Sequence, residues 1–179
     1  MITIFEGPRN SGKTYLSREY SNLRDIPVFK FDFVGWFDRL DLNDDQKETH
    51  LFALGKELML LQLNSTSLLS DFVLDRGILT VLTWGVISKR ISKETALSQL
   101  EMISSLGLFK NCEIVFVTGQ NPSGELRNKD HWDTRESSQE ELEMLKVLVE
   151  IISDPKFNIK VKCIENTFDL EALQKLQNI

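Results

Sequence analysis

Residues 1–16 read Met1-Ile2-Thr3-Ile4-Phe5-Glu6-Gly7-Pro8-Arg9-Asn10-Ser11-Gly12-Lys13-Thr14-Tyr15-Leu16. Ile2, Ile4 and Phe5 make a short apolar strand, and Gly7 to Thr14 fits G-x-x-x-x-G-K-[ST] at every fixed position. From Lys13 onward the chain reads as the first turn of a helix. The spacing has a physical reason. Glycine lets the backbone turn successive N–H groups into one concavity, and the helix N-terminus adds partial positive charge there. Lys13 would reach the β- and γ-phosphates, and the Thr14 hydroxyl would take a position on Mg²⁺. A strand-to-helix turn that merely spells the motif is the competing reading, and the correct order of strand, loop and helix argues against it. Gly7, Arg9, Asn10, Ser11, Gly12, Lys13 and Thr14 are therefore the expected nucleotide site, with ATP as ligand and Mg²⁺ as cofactor.

Outward from this loop, 179 residues with 41% hydrophobic content suit one compact α/β domain over residues 1–179. Lys and Arg total 21 against 27 Asp and Glu, a net charge of −6. That balance disfavours nucleic acid as the main partner, since such binding draws on clustered positive charge. Cys112 and Cys163 have no metal-ligand spacing and read as buried thiols in a reducing compartment. No apolar run approaches the roughly 20 residues that span a bilayer, so the expectation is a cytoplasmic protein that binds no membrane.

Strands and helices alternate along the chain. Val28–Phe33 has a strand composition and Gln46–Leu63 a helical period; Phe72-Val73-Leu74 is a short apolar strand. Ile78–Arg90 and Lys93–Leu106 are helical, Asn111–Gly119 is a buried strand, and a helix opens at Ser137. Phe157–Ile164 alternates as a last strand before a short helix at Asp169–Gln177. This order predicts a parallel five-stranded sheet flanked by helices on both faces.

Two further stretches bear chemistry. Asp75 ends the apolar run Phe72–Leu74, with Arg76 and Gly77 directly behind. An aspartate at the end of a buried strand is where a Walker-B acid holds the Mg²⁺ shell, although such an Asp can also simply cap the next helix. The loop from Gln120 to about residue 136 carries Arg127, Lys129 and Arg135 among polar residues, Pro122 and Gly124, which suits a closing lid. The guanine-reading N-K-x-D and the D-x-x-G switch of GTPases are absent: Asn128-Lys129-Asp130-His131 and Asp75-Arg76-Gly77-Ile78 are near misses.

These pieces, in this order, resemble the thymidylate kinase family and the phage-type deoxynucleoside monophosphate kinases related to it. Phe5-Glu6-Gly7…Gly12-Lys13-Thr14 is similar to the family's F-E-G…G-K-T. Leu51-Phe52-Ala53-Leu54-Gly55-Lys56 is similar to its L-F-x-x-x-R helix, and Asp75-Arg76 with Thr80 to its D-R-Y-x-x-S. The resemblance implies a P-loop NTPase fold and phosphoryl transfer from ATP to a nucleoside monophosphate, a deoxynucleotide such as dTMP. It gives Lys13, Arg76, Arg127 and Arg135 catalytic roles, Phe52, Lys56, Arg76 and Thr80 acceptor contacts, and Thr14 and Asp75 the metal. A homodimer is compatible with it. Three positions depart from the pattern around the acceptor. Arg9 stands where the family has an acid, Lys56 where it has arginine, and Gly77 where it has tyrosine. Phe52 on an apolar helix reads equally as core, and Lys56 as a solvated residue. The alternatives are a kinase of a nucleoside or polynucleotide 5′-hydroxyl, with Glu6 or Asp32 as base, and a nucleotide-binding regulatory protein without turnover.

Overall fold

A computed structural model of the chain describes residues 1–30, 46–66, 70–119, 135–167 and 170–177. Strand β1 (Ile2–Glu6) occupies the centre of a five-stranded sheet, with β3 (Phe72–Asp75) and β2 (Val28–Lys30) on one side. On the other side lie β4 (Cys112–Thr118) and β5 (Lys160–Glu165), so the order is β2-β3-β1-β4-β5. All four pairings are parallel, as the alternation of elements predicts. In register, Ile4 meets Leu74 and Ile114, while Phe5 meets Asp75 and Val115.

The two faces of the sheet are filled by alternate residues of the same strands. Ile2, Ile4, Phe72, Leu74, Ile114 and Phe116 join one core with α2 (Gln46–Ser65), α3 (Ile78–Ile87), α4 (Lys93–Ser105) and α5 (Arg135–Ile152). Phe5, Val73, Val115 and Val117 point the other way, against Leu16 and Tyr20 of α1 (Lys13–Arg24) and Ala172 and Leu176 of α6 (Leu170–Gln177). Strands covered on both faces must be apolar throughout, which is why the short runs at 72–74 and 114–117 read so clearly.

Some boundaries differ from the sequence reading. The helix expected to run to Arg90 ends at Ile87, and Lys89 takes a left-handed φ of 58°. The helix expected from Ser137 opens at Arg135, so Arg135 belongs to α5 and not to the preceding loop. Pro155–Phe157 forms a 3-10 turn in which Asp154 accepts the Lys156 N–H at 2.9 Å, so β5 starts only at Lys160. Cys112 is buried as expected, but Cys163 on the edge strand is exposed, contrary to its reading as a buried thiol. Among the described residues, no helix is long and apolar enough to cross a membrane.

Candidate functional site

The strand order reverses at β1: the chain leaves β1 for β2 on one side, and leaves β3 for β4 on the other. In such sheets the crevice at the carboxyl ends of the central strands is the natural ligand site. There the loop after Glu6 lies beside the Asp75–Arg76 step. Gly7 packs so closely on β4 that a Cβ would stand 2.3 Å from the Val117 carbonyl oxygen. Gly12 takes a left-handed φ of 78° as the N-cap of α1, a conformation that favours glycine. Asn10 shares that region at φ 62°. Asn166, just beyond β5, donates to the Ser11 carbonyl at 2.9 Å and braces the loop from behind.

Lys13 opens α1 and is only 4% exposed. Its ammonium donates to the Pro8 carbonyl at 3.0 Å, which ties the lysine to its own loop. Burial is the main cause that lowers its pKa to about 7, and the charge of Arg76 adds to it; Glu141, Asp75 and Glu6 oppose the shift. An anionic ligand would restore the charged form. The Ser11 hydroxyl is buried, and among the described residues it has no hydrogen-bond partner.

Asp75 is 1% exposed, and among the described residues neither of its carboxylate oxygens has a hydrogen-bond partner. Buried polar atoms are normally satisfied, so a doubly orphaned carboxylate beside a phosphate loop fits a cation ligand. Arg76 follows with a left-handed φ of 78°, uncommon for a residue with a side chain. Its backbone N–H still donates to the Phe5 carbonyl at 3.0 Å, so the strand pairing extends into the strained residue.

Glu6 faces the other way and is fully buried. Its carboxylate accepts the backbone N–H groups of Gly77 at 3.1 Å, Leu79 at 3.0 Å and Thr80 at 3.3 Å, and the Thr80 hydroxyl. It thereby caps α3, whose own N-cap Gly77 has no side chain to do so. Burial raises its pKa to about 7, against the lowering effect of the Thr80 hydrogen bonds. Gly77 has no room for the tyrosine of the family pattern, since a Cβ would meet Ile4 Cγ2 at 2.6 Å. Thr80 is likewise fully buried and turned onto Glu6. Glu57 of α2 stands nearby, its pKa raised by burial, and pairs with Lys56 at 2.9 Å. Lys56 is thus engaged with a buried acid and is not a simple solvated residue. Phe52, one turn earlier, is 39% exposed and so is not core.

The sequence reading missed Glu141. This α5 residue is fully buried, and its Oε2 accepts the Arg9 backbone N–H at 2.9 Å while lying 3.5 Å from Arg9 Nε. Its Oε1 accepts from Arg76 at 3.1 Å. The Arg9 guanidinium also stacks 4.5 Å above the Trp84 ring of α3. The signal was present: Glu141 falls on the stripe of Leu145 and Leu148, and an acid on an apolar helix face needs a buried partner. Of the expected site residues, the structure brings together the loop 7–14, Asp75 and Arg76. Arg127 and Lys129, with most of the expected lid, lie outside the described residues, as does Asp32.

No protein-family model matches the chain, and no curated protein is similar to it in sequence. Solved structures are similar in shape. A deoxyadenosine kinase from M. mycoides with bound dCTP matches with a TM-score of 0.61 over 100% of both chains at 13% identity. The YorR protein from Bacillus subtilis, in complex with phosphorylated GDP, gives 0.59 at 15% identity over 99% of this chain and 98% of that one. Thymidylate kinase from Candida albicans gives 0.57 at 20% identity over 99% and 90%. The fold expected from residues 1–16 and from the order of the motifs is therefore the fold found, that of the P-loop nucleoside and nucleotide kinases.

Proposed function

We propose that this chain transfers the γ-phosphoryl group of ATP to a nucleoside or nucleotide, with a nucleoside monophosphate such as dTMP as the preferred acceptor. The observation that carries the reading is the Asp75 carboxylate, buried and without a partner among the described residues, beside a glycine-bounded loop with a buried lysine. The loop N–H groups and Lys13 hold the donor's β- and γ-phosphates. Thr14 and Asp75 would hold Mg²⁺, Asp75 through water, and the ion would take its other oxygens from the nucleotide and water. When bound, the metal neutralises charge on the phosphates. Arg76 neutralises charge on the transferred group, with Arg127 and Arg135 as the further candidates for that work. On the acceptor side Phe52 offers a stacking face. Lys56 lies one turn further along α2, and Thr80 acts there only through Glu6.

A second reading has specific support. One similar structure is named as a deoxyadenosine kinase, which suggests a nucleoside 5′-hydroxyl as acceptor. A hydroxyl acceptor needs a carboxylate base within reach of its proton. Glu6 does not suit that task, because its oxygens are committed to the cap of α3. The base would then fall to Asp32. The test is ADP formation from ATP·Mg²⁺ with a panel of nucleosides, monophosphates and 5′-hydroxyl oligonucleotides. Stimulation by monophosphates is expected. Stimulation by nucleosides alone would transfer the assignment to the second reading. Tight ATP binding without any acceptor effect would leave a regulatory nucleotide binder.

A further inference from the structure

We propose that Glu141 is a positioning residue, which fixes the guanidinium groups of Arg9 and Arg76 at the phosphate site from a helix distant in sequence. The inference rests on the kinase reading only for its kinetic consequence; the positioning itself has a separate readout.

A carboxylate fully removed from water is expensive unless charge and hydrogen bonds compensate it. Glu141 has that compensation from two sources, and both belong to the site. One is the backbone N–H and guanidinium of Arg9, inside the phosphate loop. The other is Arg76, directly behind Asp75. One carboxylate therefore joins the loop after β1 to the step after β3 through a helix that belongs to neither. Charge-assisted bonds of this kind fix direction as well as distance.

Arg76 needs such a hold. Its backbone is in the left-handed region, and its side chain is long and flexible. Arg9 is held from a second side by Trp84, so its guanidinium lies between an aromatic face and a carboxylate. α5 packs along α3, which carries Trp84, so both supports are set by one helix pair. Without Glu141, Arg9 and Arg76 would both lose the carboxylate they share. Their orientation toward a phosphoryl group would then depend on chance rotamers.

The test compares E141Q, R76A and the double variant, with W84F to assign the indole N–H resonance of Trp84. In E141Q the Trp84 resonance should shift, because Arg9 leaves the ring. Direct ATP titration should change little, while kcat falls about 10²-fold, the cost of a misplacement of about 1 Å at a reacting centre. In the R76A background E141Q should cost less than it does in the wild type, because one of the two groups it positions is gone. An unmoved Trp84 resonance, or a loss in the double variant equal to both single losses combined, would overturn the proposal. Should E141Q fail to fold, E141D is read in the same ways, since it keeps the charge and withdraws it by one methylene. If the wild-type chain phosphorylates nothing, the kinase reading has failed, and the Trp84 resonance alone decides the positioning: a shift upholds it and no shift refutes it.

Discussion

The phosphate loop takes its concavity from eight consecutive residues, 7–14, whereas the ion cluster beside it joins Glu141 to Arg9 and Arg76 across 132 and 65 positions of sequence. Both handle charge at the same crevice. On the proposed reading the loop acts through backbone N–H groups, which every residue but proline supplies, so its demands fall on a few fixed positions. The cluster acts through side chains that only the finished fold brings together. It follows that side-chain substitutions in the loop, away from Gly7 and Gly12, should remove function without touching the fold, while those in the buried acids should couple the two.

The largest effect is expected at Lys13. Lys13→Ala should lower phosphoryl transfer about 10³-fold, as loss of a principal charge-stabilising group does. Thermal melting should not suffer, because a buried ammonium is removed. Near-normal turnover would mean that the loop is not the donor site. Next is Asp75→Asn, which should weaken Mg²⁺-dependent turnover far more than Mg²⁺-free nucleotide binding. Equal losses in metal titrations of the two activities would reduce Asp75 to a structural cap.

The buried acids should show in stability against pH. Glu6 has a folded-state pKa of about 7 against an ordinary 4.5, so between these values the folded protein holds more protons than the unfolded one. Stability from this group is fully present below about pH 4.5 and is lost as pH rises through 7, by on the order of 3 kcal/mol. Glu57 adds in the same direction, and His50, whose pKa is lowered by burial, opposes below its ordinary value. Urea melts at pH 5 and pH 8 should therefore differ less for Glu6→Gln than for the wild type. An unchanged difference would place the linkage elsewhere. A smaller effect concerns Lys13, with its pKa lowered to about 7: at pH 8, ATP binding should take up protons as the phosphates recharge the amine. Calorimetry in buffers of different ionisation enthalpy reads this, and the uptake should vanish in Lys13→Ala.

What could be read from the sequence follows the same division. The loop, Asp75 and the strands at 72–75 and 112–118 are local patterns, set by glycine geometry and by burial on both faces. Glu141, Glu57 and the cap that Glu6 gives to α3 are not local, and their acids read as ordinary polar residues until the helices are packed. Cys163 departs from its expected burial for a related reason: it lies on the edge strand β5, where position in the sheet, not residue type, decides exposure. The tyrosine position filled by Gly77 is explained only by Ile4, 73 residues away in sequence and in van der Waals reach in space.

The central claim is that the γ-phosphoryl group of ATP goes to a nucleoside monophosphate. Its most direct test follows the label from γ-labelled ATP·Mg²⁺, with dTMP and the other deoxynucleoside monophosphates, under enzyme in excess. The account predicts label in the nucleoside diphosphate at a rate that saturates with acceptor and is lost in Lys13→Ala. Label found only in inorganic phosphate, at a rate indifferent to every acceptor, would contradict it.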